Sequence, residues 1–146
     1  MIGVCDDVLV NMSTRNLRLI GYWLGPDTPG WPDVRAFVDP SPDAAQRDRT
    51  VAYLRSGTVF VAAAGMSFCR ICGRANGSTE LTDGVHFVWP EGLAHYVEDH
   101  NVRLPAEVTA AMTVPPPPVD IVEFMHLLGT NEVTIDDHWW HDINGR

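Results

Sequence analysis

Four side chains in the middle of the chain have the types and spacing to hold one metal ion. Two residues separate Cys69 from Cys72, 22 residues separate Cys72 from His95, and four separate His95 from His100. Two thiolates and two imidazoles form a complete tetrahedral set for zinc. When the protein supplies all four ligands, no position remains for water or substrate, so the expected Zn2+ is structural rather than catalytic. Such an ion contributes folding energy, on the order of 10 kcal/mol in isolated zinc peptides.

The ligands can meet only if the local elements bring them round. Gly73 lets the Cys69–Cys72 knuckle turn with its amides facing the sulfurs. Asp83-Gly84 lies between two β-prone runs, 78–82 and 85–89, which is a hairpin signal because both central turn residues favour positive φ. Pro90-Glu91 opens a helix expected to reach His100, with Asn101 as its C-terminal cap and Pro105 preventing resumption. On a regular helix His95 and His100 lie about 140° apart, so both reach one ion only if the helix loosens at its end. Asp99 is four residues after His95 and on the same face. It is the substitute ligand if His100 points away.

Knuckle, hairpin and helix in that order form the layout of a treble-clef zinc site. The stretches Cys69-Arg-Ile-Cys-Gly73, Asn76-Gly-Ser-Thr-Glu-Leu-Thr-Asp-Gly84, Trp89-Pro-Glu-Gly-Leu-Ala-His-Tyr-Val97 and Val102-Arg-Leu-Pro105 resemble a bacterial protein family of uncharacterised activity. Gly21-Tyr-Trp23 and Tyr53-Leu-Arg-Ser-Gly57 extend the likeness to roughly residues 20–105. The resemblance supports a domain boundary and implies nothing about mechanism.

Before the knuckle, residues 16–24 read as one strand or short helix. A turn-rich stretch follows, in which Trp23 and Trp31 are expected to cover the core edge. The clearest helix runs from Ser41 to Gly57, with Ser41 as cap, Pro42 at the first helical position, Asp43 at the positive end of the dipole and Gly57 as a left-handed stop. Residues 58–64 read as a buried strand. After the metal segment, Pro115 to Pro118 is an extended strap. Residues 119–128 read as an amphipathic helix carrying His126, and residues 131–142 as a strand with an aromatic hook. The resulting expectation is a small α+β protein with three parts: a zinc-containing domain over residues 1–110, a proline-rich linker over 111–118, and an acidic helix and aromatic tail over 119–146.

Composition narrows the chemistry. The chain has 146 residues, 45% hydrophobic, 20% charged, with a net charge of −9. The segment after residue 105 carries seven acids and one arginine, and all ten cations are arginine. Lysine-based covalent catalysis is therefore excluded. The acidity argues against nucleic acid, which requires a basic face, and favours a basic partner. Three cysteines, two of them in the knuckle, do not make a disulfide framework. Cys5 reads as a lone packed thiol. No apolar run reaches the roughly 20 residues that span a bilayer, and no signal-peptide pattern opens the chain, so a cytoplasmic location is expected.

Several other chemistries fit less well. A redox role for the cysteine pair lacks a thioredoxin-like surround, and the deaminase signature requires its cysteines after a His-x-Glu. An HNH-like nuclease would use His86 on the second hairpin strand, with Asn76 nearby. His138 and His141, flanked by Asp136, Asp137 and Asp142, could bind a second metal or act as acid and base. The leading reading is a non-catalytic binding module of adaptor or immunity type, docking a protein partner through an exposed Trp139-Trp140 pair. The runner-up is a metal-dependent hydrolase or nuclease using His86 or the His138/His141 cluster.

Overall fold

The computed structural model describes residues 14–62 and 65–145; Cys5 lies outside them. The fold is α+β. One mixed five-stranded sheet has the order β2-β3-β4-β1-β5, with β1 at Arg15–Leu19, β2 at Thr58–Val61, β3 at Glu80–Thr82, β4 at Phe87–Pro90 and β5 at Val133–Asp136. The helices are α1 at Ala44–Arg55, α2 at Leu93–His100, α3 at Ala106–Thr109, α4 at Ile121–Gly129 and α5 at His138–His141. No helix among the described residues is long and apolar enough to cross a membrane.

The hairpin β3–β4 is antiparallel, with Leu81 opposite Trp89. β4 then pairs parallel with β1, and β1 pairs parallel with β5. This central place explains why Phe87, Val88 and Trp89 are all buried, since neither face of β4 meets water. On one face lies the main core, where Ile20, Trp23, Trp89, Leu93, Val97 and Trp140 join α1 and α2 to the sheet. On the other, α4 sets Phe124 against Leu17, Val88 and Val133.

Sequence expectation and structure differ at several points. Helix α1 starts later than expected, because Asp43 rather than Ser41 caps it. Its Oδ1 accepts from Ala45 N at 3.0 Å and Gln46 N at 3.2 Å, and a carboxylate suits the positive end of the dipole. Gly57 is not a left-handed stop. A Cβ there would stand 2.5 Å from Trp89 Cζ2, so glycine is needed for the close approach of the indole. Of the run 58–64, Thr58–Val61 forms an edge strand rather than a buried one, with Val59 43% exposed, and residues 63–64 lie outside the described residues.

The hairpin connection is wider than a two-residue turn. Residues 83–86 lie between β3 and β4, Gly84 has φ 78°, and Asp83 has no positive φ. The buried Asp83 carboxylate organises the loop. Its Oδ1 accepts from the amides of Val85, His86 and Phe87 at 2.7–3.0 Å, and its Oδ2 from the Tyr53 hydroxyl at 2.6 Å. Burial, reinforced by that hydrogen bond, pushes the Tyr53 phenol well above its usual range.

The proline strap crosses this loop. Val119 N donates to Thr58 Oγ1 at 3.0 Å, and a Cβ on Gly84 would meet Val119 Cγ2 at 2.9 Å. Beyond the strap, the tail enters the same sheet. β5 is hydrogen-bonded to β1 in the register Arg15↔Val133 to Arg18↔Asp136. Trp140 is 0% exposed, and its Nε1 donates to Tyr22 O at 2.7 Å. The expectation of an exposed tryptophan pair is thus corrected. Trp140 is core, and Trp139 is partly covered, with the Arg18 guanidinium 4.3 Å above its ring.

Candidate metal centre

The knuckle is folded by its own backbone. Gly73 N donates to Cys69 O at 2.9 Å, and Cys69 N donates to Arg74 O at 2.8 Å. Gly73 sits at φ 75°, a conformation glycine adopts without steric cost. These bonds aim two further amides at sulfur: Ile71 N and Cys72 N each lie 3.4 Å from Cys69 Sγ. Cys69 is 3% exposed. That burial raises its thiol pKa, but the amides of Cys72 and Ile71 outweigh it, and the net shift is downward. The thiolate is the form that ligates a metal.

Helix α2 delivers the imidazoles. Gly92 precedes it, and Asn101 ends it in the left-handed conformation at φ 54°. His100 is the last helical residue. The two rings stand 4.9 Å apart, centroid to centroid, with planes nearly perpendicular. The helix runs through His100, and the two rings still converge at its end. Cys72 Sγ lies 3.4 Å from His95 Nε2. One ligand atom from each of Cys69, Cys72, His95 and His100 lies within 4.8 Å of every other. Among the described residues this is the one group of three or more such side chains gathered closely enough to hold an ion.

Two observations test whether these residues suit a metal. His100 Nε2 is buried and has no hydrogen-bond partner among the described residues, a state that costs about 1–3 kcal/mol unless something is ligated there. Burial, and then neighbouring His95, hold the His100 pKa below its ordinary value, which favours the neutral ring that can ligate a metal. In addition, His95 Nδ1 lies 3.1 Å from Asp99 Oδ2. A carboxylate on the far nitrogen fixes the tautomer that turns Nε2 toward the sulfurs, as is usual for metal-bound histidine. Asp99 therefore stands behind His95 instead of replacing His100, and Arg74 Nη1 lies 4.0 Å from the same oxygen, Oδ2. The four residues fit a metal ion, and two thiols with two imidazoles are consistent with zinc.

Tyr96 was not singled out by sequence reasoning. Its hydroxyl accepts from Arg70 N at 2.8 Å, tying the helix to the knuckle between the two cysteines. Burial, with Cys69 alongside, pushes its phenol up to about 12. Glu91 was read as part of the helix start; instead its Oε1 accepts from Ser78 N at 2.7 Å and Thr79 N at 3.0 Å, clamping the hairpin to α2. Ser78 N, against a smaller burial effect, holds this carboxyl below its usual range. Neither role leaves a local sequence signature beyond a polar residue beside a ligand segment.

The other candidate residues stand apart from the centre. His86 lies on the hairpin loop, its Nδ1 3.7 Å from Asp83 Oδ2, beyond hydrogen-bond distance. His141 is stacked on Trp31 with centroids 3.8 Å apart, and its Nδ1 lies 2.8 Å from Gly30 O. His138 opens α5, where its amide donates to Asp136 Oδ1 at 2.9 Å. Asp136 and His141 are thus engaged locally, and the tail carboxylates and histidines form no metal-holding group among the described residues.

Comparison of the chain with protein-family models, with curated proteins and with solved structures gives no match. What the structure supports is therefore read from its own geometry: an α+β fold with a Cys2His2 cluster fit to bind a metal ion.

Proposed function

We propose that this protein is a binding module whose fold is held by one structural Zn2+, with no chemistry at the metal. The observation that carries the reading is the composition of the cluster. Two sulfurs and two imidazole nitrogens complete a tetrahedron, and a fourth protein ligand takes the place that a catalytic site leaves for water. Through the Cys69–Cys72 knuckle and α2, the ion joins the hairpin to the helix. The chain as a whole is acidic, at net charge −9, which suits a basic protein partner. The resemblance over residues 20–105 to the bacterial family described above assigns no activity.

Cobalt substitution tests the closed shell. A complete set of protein ligands gives tetrahedral absorption bands that azide leaves unchanged, whereas an open site changes its spectrum as azide binds. Capture of a defined partner by the full metal-loaded chain is the expected functional result. Hydrolytic turnover across a substrate panel would favour the alternative enzyme. That enzyme would use the His138/His141 cluster or His86, which lies beside the buried Asp83 carboxylate.

A further inference from the structure

Four consecutive prolines leave the backbone little choice. Each ring of Pro115 to Pro118 fixes its own φ, and residues 114–117 each precede a proline, which turns them away from the helical region. Residues 115–120 are accordingly neither helix nor strand. The conformation left to the prolines is polyproline II, with three residues per turn, so side chains three apart share a face. Exposure along the strap follows that period. Pro116 and Val119 are partly covered, whereas Pro115, Pro117 and Pro118 are exposed. Val119 packs against the core cluster of Leu17, Val88, Phe124 and Val133. The row of Pro116 and Val119 thus faces the domain, and the other two rows face outward.

The strap is pinned at both ends. Met112 is 2% exposed before it, and Val119 N donates to Thr58 Oγ1 at 3.0 Å after it. A partner therefore meets a ridge that is already ordered and does not have to order it on binding. Val114, 70% exposed, prolongs the apolar surface at one end. A cleft of about 310 Å³, lined by Val85, His86 and Pro115 to Pro117, leaves room beside the ridge for a partner's ring. Asp120 and Glu123 are exposed at the other end, and no Lys or Arg lies between residues 104 and 145.

A polyproline II ridge with two free faces is the shape that aromatic-lined grooves receive. We propose that residues 114–118 dock in such a groove on a partner protein. Pro115 and Pro118 in one row, with Pro117 in the other, lie against the partner's aromatic rings. The rim of the groove is basic, opposite Asp120 and Glu123. The proposal rests on the binding reading above, to which it gives a surface and a class of partner.

Purified SH3, WW and EVH1 domains carry grooves of this kind and serve as probes of the immobilised, full metal-loaded chain. At least one should bind saturably, be displaced by a free proline-rich peptide, and bind more weakly as salt rises. Replacing the outward rings together, Pro115→Ala with Pro118→Ala, should weaken that binding about tenfold, or about 1.4 kcal/mol. Pro116→Ala should have the smaller effect, because its ring faces the domain. Thermal melting of the double variant within about 2 °C of wild type shows that the loss is not unfolding. Absence of binding by all three domains, or equal losses from the inward and outward substitutions, overturns the proposal. Self-association of the chain in sedimentation that the double variant abolishes assigns the ridge to a second copy and overturns it as well. Such a failure beside an azide-insensitive cobalt spectrum strikes the strap alone, whereas substrate turnover strikes the binding reading itself.

Discussion

Cys72→Ser separates a metal-held fold from one held by packing alone. Cys72 is exposed, and its sulfur touches little beyond His95 Nε2 at 3.4 Å and the neighbouring Cys69. Without a metal, exchanging sulfur for oxygen at such a surface position changes stability by no more than about 0.5 kcal/mol. With a metal, the variant loses a ligand and with it most of the binding energy linked to folding. At free zinc a thousandfold above Kd, that linkage is worth about 4.1 kcal/mol. For a chain of this length, roughly 2–4 °C per kcal/mol converts this to a fall in Tm of about 8–16 °C. Thermal unfolding is followed by circular dichroism with and without a chelator. Wild type should lose the same amount when chelator is added, and the variant should not respond to it. Coincident melting of the two proteins in both conditions, within about 2 °C, would refute the reasoning.

Other substitutions probe how the site is framed. Asp83→Ala strands three loop amides and the Tyr53 hydroxyl. It should cost about 3–5 kcal/mol in denaturant unfolding, and Asp83→Asn, which keeps the Oδ1 acceptor, should cost less. Gly57→Ala drives a methyl against the Trp89 ring and should cost about 1–3 kcal/mol by the same measurement. Trp140→Ala should destabilise by about 3–5 kcal/mol, because the side chain is core rather than a docking anchor; unchanged stability would return Trp140 to the surface.

Ligand chemistry was the most legible part of the sequence, because thiols and imidazoles at those spacings have few other uses together. Asn101 as the helix stop was legible for a similar reason, since asparagine tolerates the left-handed conformation that ends α2 directly after His100. The nearness of Asp99 to His95 followed from helical spacing. Its engagement of Nδ1 did not, because that depends on which nitrogen the sulfurs claim. The strand at the end of the chain could be anticipated, but its place in the sheet could not. Arg15 and Val133 are paired across more than a hundred residues, and parallel pairing leaves no local mark. Nor does adjacency show which of Trp139 and Trp140 turns inward; the short helix α5 decides that. The apolar run from Thr58 read as buried although it edges the sheet, since α4 covers Phe60 through Phe124 while Val59 faces outward.

Zinc K-edge X-ray absorption on the purified full-length chain, with metal content measured in parallel, examines the central claim most directly. The account predicts one zinc per chain with two sulfur and two nitrogen neighbours, at about 2.3 Å and about 2.0 Å. A first shell containing a water oxygen, or a folded protein that carries no metal, would contradict it.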